Sequence, residues 1–408
     1  MESHKPQDES QLAEILSEAS AKGTPLELEG LGSKRGFGRP FQADGTLSLA
    51  AFSGVSLYEP EELVLTAGAA TPLAEIEPLL EEAGQMLAFE PADYGPLLSG
   101  QASDRRLDSL GGLIACNLSG PRRPKAGAAR DHVLGLRGVT GQGACFKTGG
   151  RVVKNVTGYD LCKLLTGSFG TLAAMTEITV KVLPRPEKTR SLLFSGLSAE
   201  TANQLFNRAL GSAYDVSGAA HLPAPLAAAS NIDLVSGLGE AVTALRLEGP
   251  EPSVMARQAG LTALLAALAA PVEELHATRS LAFWKALRDA QPFVSRAKTA
   301  IWRLSLPPAS GAAAVAALDL DDSDYWLDWG GGLLWLACPE SAPQPPALAA
   351  TLQALGGHAT LVRANEGLRA ALPVFMPQAE GVAALAGRIK ASLDPKAVLN
   401  PGRLYAGL

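Results

Sequence analysis

The sequence predicts an α+β protein of two domains, and three observations predict it. As far as Pro186, short strands and helices alternate between long glycine-rich loops. Beyond Pro184-Arg185-Pro186 the texture changes to rounds of strand, Ala-rich helix and strand, which fit an antiparallel sheet covered by helices on one face. The last residues, DPKAVLNPGRLYAGL, stay specific in composition to the end, so the tail is expected to dock rather than fray. A chain of 408 residues has room for this plan. The expected organisation is a first α+β domain at 1–186, a cap domain at 187–375, and a docking segment at 376–408.

Each element has its own signal. Leu12, Ile15, Leu16 and Ala19 recur at helical spacing within 8–22, and Gly23-Thr24-Pro25 stops that helix. Residues 26–28 alternate as a strand, followed at once by GLGSKRGFG. Strands are expected at 46–49 and 63–67, then a helix over 72–83 with Thr71 as N-cap, Pro72 in its first turn and Gly84 just past its end. A further strand is expected at 176–182. In the second part the strands are expected at 191–194, 217–222, 243–247, 299–304, 325–329 and 333–336. Helices are expected there at 199–210, 252–269, 281–290, 309–318 and 346–355, with a final one at 379–393. Trp326, Trp329 and Trp335 flank a glycine run, which reads as a hairpin packing aromatics in a core.

Charge and cysteine usage narrow the function. The net charge of −6 argues against general nucleic-acid binding. Residues 101–165, however, hold eleven Lys/Arg against four Asp/Glu, so this stretch carries +7 and the remainder −13 (−6 minus +7). A basic island in an acidic chain points to an anionic ligand or an acidic partner surface, with a solvated face as the plain alternative. Cys116, Cys145, Cys162 and Cys338 form no CxxC pair, so iron–sulfur and zinc ligation lack spacing support and no metal is expected. The start, MESHKPQDESQ, lacks the apolar core of a signal peptide, and no apolar run is long enough to span a bilayer. The cysteines read as ordinary thiols in a reducing compartment, and the chain is expected to be soluble or peripheral.

The motifs centre on glycine. Gly30 to Gly36 (GLGSKRG) follows a strand, but its third glycine is misplaced for a dinucleotide fingerprint and no helix follows. It reads better as a nest of backbone N–H groups facing phosphate oxygens, with Ser33, Lys34 or Arg35 adding donors; a plain surface turn is the alternative. Ser109, Gly111, Gly112, Asn117, Ser119 and Gly120 offer a second set of close approaches. Gly149-Gly150, Lys154-Asn155, Gly158-Tyr159-Asp160 and the run GSFGTL from Gly167 continue the pattern. Arg122, Arg123, Lys125 and Arg130 could clamp a carboxylate or meet an acidic partner, and Lys154 and Tyr159 join them as substrate or partner candidates. His132 reads as a hydrogen-bonded structural histidine.

In this order the segments resemble the FAD-binding domain of the vanillyl-alcohol oxidase, or PCMH, type, which implies two α+β subdomains in the first domain and a segment at 376–408 that returns to it. LGGLIACNLSG resembles its glycine pair with following Asn, and VVKNVTGYDLCKLLTGSFGTLAAMTEITVKVLP its second flavin-contacting segment. GPRRPKAGAARDHVLG, GGRVVKNVTGYD and LDPKAVLNPGRLY most resemble FAD-binding subunits of bacterial glycolate oxidases. The resemblance implies that Gly30, Leu31, Gly32, Ser33, Lys34, Arg35 and Gly36 contact the FAD pyrophosphate through main chain. It implies that Ser109, Gly111, Gly112, Asn117, Ser119 and Gly120 line the phosphate and ribityl region, and that Gly170, Thr171 and Ile178 lie near the adenosine. Asn400 with Pro401-Gly402-Arg403 would return to the flavin edge.

The resemblance further implies a subunit that carries electrons while a complex oxidises glycolate to glyoxylate, beside a catalytic flavoprotein subunit and an iron–sulfur subunit. Some relatives tether the flavin through His or Cys; the first loop here has neither, so FAD is expected to be non-covalent. Relatives that oxidise 2-hydroxy acids carry HxGDGNxH in the cap, whereas His4, His132, His221, His276 and His358 are scattered. Two other readings stay open. One is a self-sufficient oxidoreductase using Arg122 or Arg123 as clamp and Tyr159 or His132 as acid/base. The other is a degenerate flavin fold serving assembly.

Overall fold

A computed structural model describes residues 2–151, 159–320 and 324–408. The described chain forms two compact units. Unit 1 comprises Met1–Ser119, Gly127–Arg185 and Pro377–Leu408; unit 2 comprises Gly120–Ala126 and Pro186–Met376.

Unit 1 is built on two main sheets, beside a short pairing of Gln85–Met86 with Leu183–Pro184. In the first, Glu2–His4 and Leu26–Glu29 flank Gly45–Ser48, all parallel. The helix Glu9–Lys22 buries Leu12, Leu16 and Ala19 among Leu26, Leu47 and Val398, the stripe its periodicity predicts. Asp8 caps its start by accepting from the Gln11 amide, and Gly23 ends it at φ +66. The second sheet is antiparallel, in the order Val55–Glu59, Val64–Gly68, Ala173–Lys181, Val133–Thr140, Cys145–Gly149. The strands Val133–Thr140 and Cys145–Gly149 were not expected, because glycines at 135, 138, 141 and 143 mask their alternation.

The helix predicted at 72–83 runs over Leu73–Glu82, and its start differs from expectation. Pro72 occupies the cap position, with extended backbone. The Thr71 hydroxyl instead donates to the Gly68 carbonyl at 2.7 Å and accepts from the Gly54 amide at 2.9 Å, tying two loops together. The glycines at 111 and 112, read as loop residues, lie in a short helix, Leu110–Ala115, capped by the Ser109 hydroxyl on the Gly112 amide.

The tail docks within unit 1. Leu26 bridges Leu399 in parallel, its amide donating to the Val398 carbonyl at 2.7 Å, so the tail extends the parallel sheet. Buried Lys390 donates to the carbonyls of Thr171 and Leu399 and to Asp394, and Asp394 accepts from the Val398 and Leu399 amides. Such a network is stable only because each buried donor has its acceptor.

Unit 2 is an eight-stranded antiparallel sheet. From one edge its strands are Glu273–His276, Lys188–Ser195, Val242–Gly249, Gly218–Leu222, Asp324–Asp328, Leu333–Pro339, Thr299–Ser305 and His358–Arg363. The helices Ala199–Leu210, Glu251–Leu265, Gly311–Ala317 and Pro345–Leu355 pack their apolar faces on one side, with Phe194, Leu245, Trp302 and Leu336. The expectation of helices on one face needs one amendment. Ala277–Arg288 lies on the other face, where Trp284 donates to Ser191 at 2.7 Å and the Arg246 guanidinium stacks 4.7 Å from its ring centroid. Trp326 and Trp335 face each other across the 324–339 hairpin with centroids 5.2 Å apart.

Candidate functional site

Unit 1 holds a cleft of about 710 Å³, open solvent included, inside the usual range for a ligand pocket. Its lining includes the loop Gly30–Arg35, the cap and first turn of the helix Leu110–Ala115, Phe169-Gly170, and the tail at Asn400 and Arg403. They reach one place because the strand Leu26–Glu29 opens straight into the glycine loop and the tail pairs with that strand.

The glycine loop presents unpaired donors. The backbone N–H groups of Leu31, Gly32, Ser33 and Lys34 have no acceptor among the described residues, and all four residues line the cleft. Gly32 sits at φ +85, a conformation that a side chain disfavours. Consecutive amides without acceptors, in a turn that needs glycine, make an anion-binding concavity.

The charged side chains of the loop have partners of their own, which corrects the expectation that they add donors. Buried Lys34 is paired with Asp108, which also accepts from Arg105 at 2.6 Å, and Arg105 continues to Glu77. Arg35 is paired with Glu27. These pairs anchor the loop and leave the main chain to meet an anion. The second glycine set also works differently from expectation. The Gly111 amide donates to the Ala69 carbonyl at 2.6 Å, and that of Gly112 to Ser109 at 3.2 Å. Their contribution is room: a Cβ on Gly111 would lie 2.7 Å from the Ala69 oxygen.

Asn400 and Arg403 hold the walls. The Asn400 side chain accepts from the Leu28 amide and donates to the Phe169 carbonyl, each at 2.8 Å. Arg403 donates to the carbonyls of Lys34 at 2.9 Å and Phe37 at 3.2 Å. Gly170, at φ +70, is packed so closely that a Cβ would meet the Asn400 amide nitrogen at 2.9 Å. Cys116 also lines the cleft, and burial pushes its thiol up to about 11 despite the opposing pull of Lys34 and Arg403.

Other expected residues lie away from the cleft lining. Gly36 belongs to a second depression against the same loop. Asn117 accepts from the Arg130 amide and Ser119 from the Ala129 amide, so both hold the 128–132 turn. Thr171 bonds the Ser168 carbonyl, and Ile178 is buried in the antiparallel sheet opposite Ala67 and Leu136. Gly120 falls in unit 2, where its carbonyl accepts from Trp329 at 3.0 Å. Arg122 is closed on Glu248 through two bonds of 3.0 and 2.8 Å, which removes it as a free carboxylate clamp. Arg123 stacks on Trp329, and Tyr159 is 93% exposed. His132 is fully buried against Phe89. Lys154, with Asn155 and Gly158, lies outside the described residues.

Sequence reasoning missed Ala69, Ala70, Cys116, Phe169 and Met175 as lining residues. Ala69-Ala70 follow a strand end as small residues, a signal too common to single them out. Phe169 sits at φ +54, which no pattern announces.

Comparison with known proteins agrees with this geometry. A family model described as an FAD binding domain matches residues 4–149. The chain is 37% identical over 402 residues to the Escherichia coli (strain K12) protein named glycolate oxidase subunit GlcE, covering 97% of each chain. It is 26% identical over 435 residues to the Bacillus subtilis (strain 168) protein named glycolate oxidase subunit GlcD, covering 98% of this chain and 88% of that one. Among solved structures, 4-ethylphenol oxidase from Gulosibacter chungangensis superposes with a TM-score of 0.72 at 14% identity, covering 99% and 88%, which speaks to the fold. An acceptor-poor glycine loop facing a cleft, an FAD-domain match over that loop and near full-length identity to one subunit type agree. The chain belongs to the GlcE family of FAD-binding glycolate oxidase subunits and is an FAD-dependent oxidoreductase subunit.

Proposed function

We propose that this chain holds FAD non-covalently in the cleft of unit 1 and carries electrons within a complex that oxidises glycolate to glyoxylate. Its partners in that complex are a catalytic flavoprotein subunit and an iron–sulfur subunit. The reading is supported by the similarity to proteins named as glycolate oxidase subunits. The observation that carries it is the row of amides at Leu31, Gly32, Ser33 and Lys34 without acceptors. The diphosphate bridge of FAD offers the acceptors they lack. When bound, FAD supplies two-electron oxidation with one-electron release.

The residues of the chain bind and orient. Lys34–Asp108 and Arg403 fix the loop from behind, so the amides need no reorganisation to meet the anion. Asn400 fixes the distance between the strand leading into the loop and the Phe169-Gly170 wall. Non-covalent binding is supported by Cys116, the sulfur nucleophile among the described lining residues, which stays a protonated thiol at neutral pH. Cytoplasmic placement with attachment to the membrane only through partners belongs to the same reading. Among the described residues no helix is long and apolar enough to cross a membrane.

The test is anaerobic. The purified chain should be yellow, release its flavin on acid precipitation, and show flavin reduction by glycolate only when both partner subunits are present. A colourless protein, flavin that stays with the precipitate, or reduction by glycolate in the isolated chain would each overturn a part of the reading.

A further inference from the structure

The turn Trp329–Gly331 of unit 2 carries a cation arrangement that the functional reading leaves unexplained. Two guanidinium groups lie over the Trp329 ring, Arg123 at 4.2 Å and Arg303 at 4.9 Å from its centroid. His358, on the strand beside that of Arg303, is held below its ordinary pKa by burial and by the charges of Arg303 and Arg123. Two guanidinium groups and an imidazole whose protonation they oppose therefore lie close together.

Several arginines of unit 2 have carboxylates: Arg122 has Glu248, Arg296 has Asp324 and Arg288 has Asp289. Arg303 differs. It is half-buried on the strand Thr299–Ser305, its Nε is shielded from solvent without an acceptor, and its side chain makes no hydrogen bond or ion pair among the described residues. Stacking on an indole steadies a guanidinium plane but leaves its N–H edge unsatisfied. That edge offers the paired N–H donors that match the two oxygens of a carboxylate.

We propose that Arg303, with Arg123 and Trp329, forms a binding site in unit 2 for the carboxylate of a small organic acid. The ring of Trp329 sets the planes of both arginines, and the Arg303 fork supplies the paired donors. Glycolate as the acid rests on the functional reading above; the site itself does not.

The experiment uses the full chain loaded with FAD, titrated by calorimetry with glycolate, with glycolamide (its uncharged amide counterpart) and with inorganic phosphate. Glycolate should bind saturably, glycolamide should not, and phosphate should bind more weakly. Arg303→Gln should weaken glycolate at least tenfold while flavin content stays at the wild-type value. Arg303→Lys, which keeps the charge and stem but loses the planar fork, should weaken it several-fold and serves if the Gln variant fails to accumulate. Absence of saturable glycolate binding, equal binding of glycolamide or phosphate, or wild-type affinity in the variants would overturn the site. Glycolate oxidation by the assembled complex is read in parallel. Turnover without binding to this chain sinks the site alone, whereas binding without turnover sinks the functional reading alone.

Discussion

Replacing Asn400 with alanine tests how the tail shapes the cleft. Asn400 is 2% exposed, at φ +42, and each end of its amide bonds a main-chain group at 2.8 Å. Truncation removes the bonds to the Leu28 amide and the Phe169 carbonyl, at about 1–3 kcal/mol for each buried bond lost. Alanine also tolerates the left-handed region less well than asparagine, adding about 1 kcal/mol. The expected loss is therefore about 3–7 kcal/mol. Part of it falls on the cofactor, since Leu28 leads into the glycine loop and Phe169 lines the cleft. If about 1.4 kcal/mol of the loss is in wall spacing, FAD binds tenfold more weakly. Urea unfolding gives the stability term and flavin per protein after dialysis gives the binding term. Asn400→Gly separates causes, because it accepts the backbone angle and loses only the bonds. Alanine and glycine variants both within about 0.5 kcal/mol of wild type, with full flavin, would refute the reasoning.

Three further outcomes are expected. Gly111→Ala should lower FAD content and cost about 1–3 kcal/mol, because its Cβ would meet Ala69 backbone at 2.7 Å. Gly112→Ala, whose nearest neighbour is the Ser109 hydroxyl at 3.1 Å, should keep more flavin, and the reverse order would contradict the assignment. Arg122→Met should destabilise unit 2 by about 3–5 kcal/mol in denaturant, since it leaves buried Glu248 without its bidentate partner. Acid should weaken unit 2 through His221, which burial lowers to about 4 from 6.5. The stabilisation from keeping His221 neutral is complete above the unfolded value and lost as pH falls from 6.5 towards 4, about 3 kcal/mol between pH 7 and pH 4. His221→Gln should remove that step while leaving the loss below 4.5. That later loss comes from Glu248, which Arg246 and Arg122 hold at about 2 against the opposing effect of burial. Tryptophan fluorescence against pH checks both.

Elements with a strong local period were readable. The helix Ala199–Leu210 has the residues predicted for it, because Ser198 caps it and its apolar stripe faces one core. Glycine-rich strands were not readable, since a missing side chain removes the alternation that reveals a strand. The same property hid the helix Leu110–Ala115, where glycines serve packing against Ala69 rather than a turn. The glycine loop Gly30–Arg35 was legible because positive φ and consecutive amides demand glycine locally. Asn400 was legible only through resemblance, since its partners are Leu28 and Phe169, hundreds of residues away in sequence. Arg303 was invisible for a physical reason: one arginine in a strand carries no pattern, and its meaning comes from an indole and a loop it meets only in the fold.

The basic island at 101–165 shows where counting charge along a sequence misleads. Its +7 suggested an anionic ligand or an acidic partner surface. In the fold four of these cations take carboxylates from outside the stretch: Arg105 pairs with Glu77, Arg122 with Glu248, Lys125 with Asp215 and Arg137 with Glu9. The excess of negative charge elsewhere is in part the complement of the island, so the imbalance reflects long-range pairing within each unit. Gly120–Ala126 makes the point most sharply. By sequence it continues the flavin segment, yet three of its residues (Gly120, Arg122 and Lys125) bond within unit 2 and a fourth, Arg123, stacks there. An anion in the unit 1 cleft therefore meets main-chain amides rather than the basic side chains that first drew attention to the region. Neutralising Lys125 should accordingly leave FAD content unchanged, whereas any change that reorients the loop at Gly32 should not.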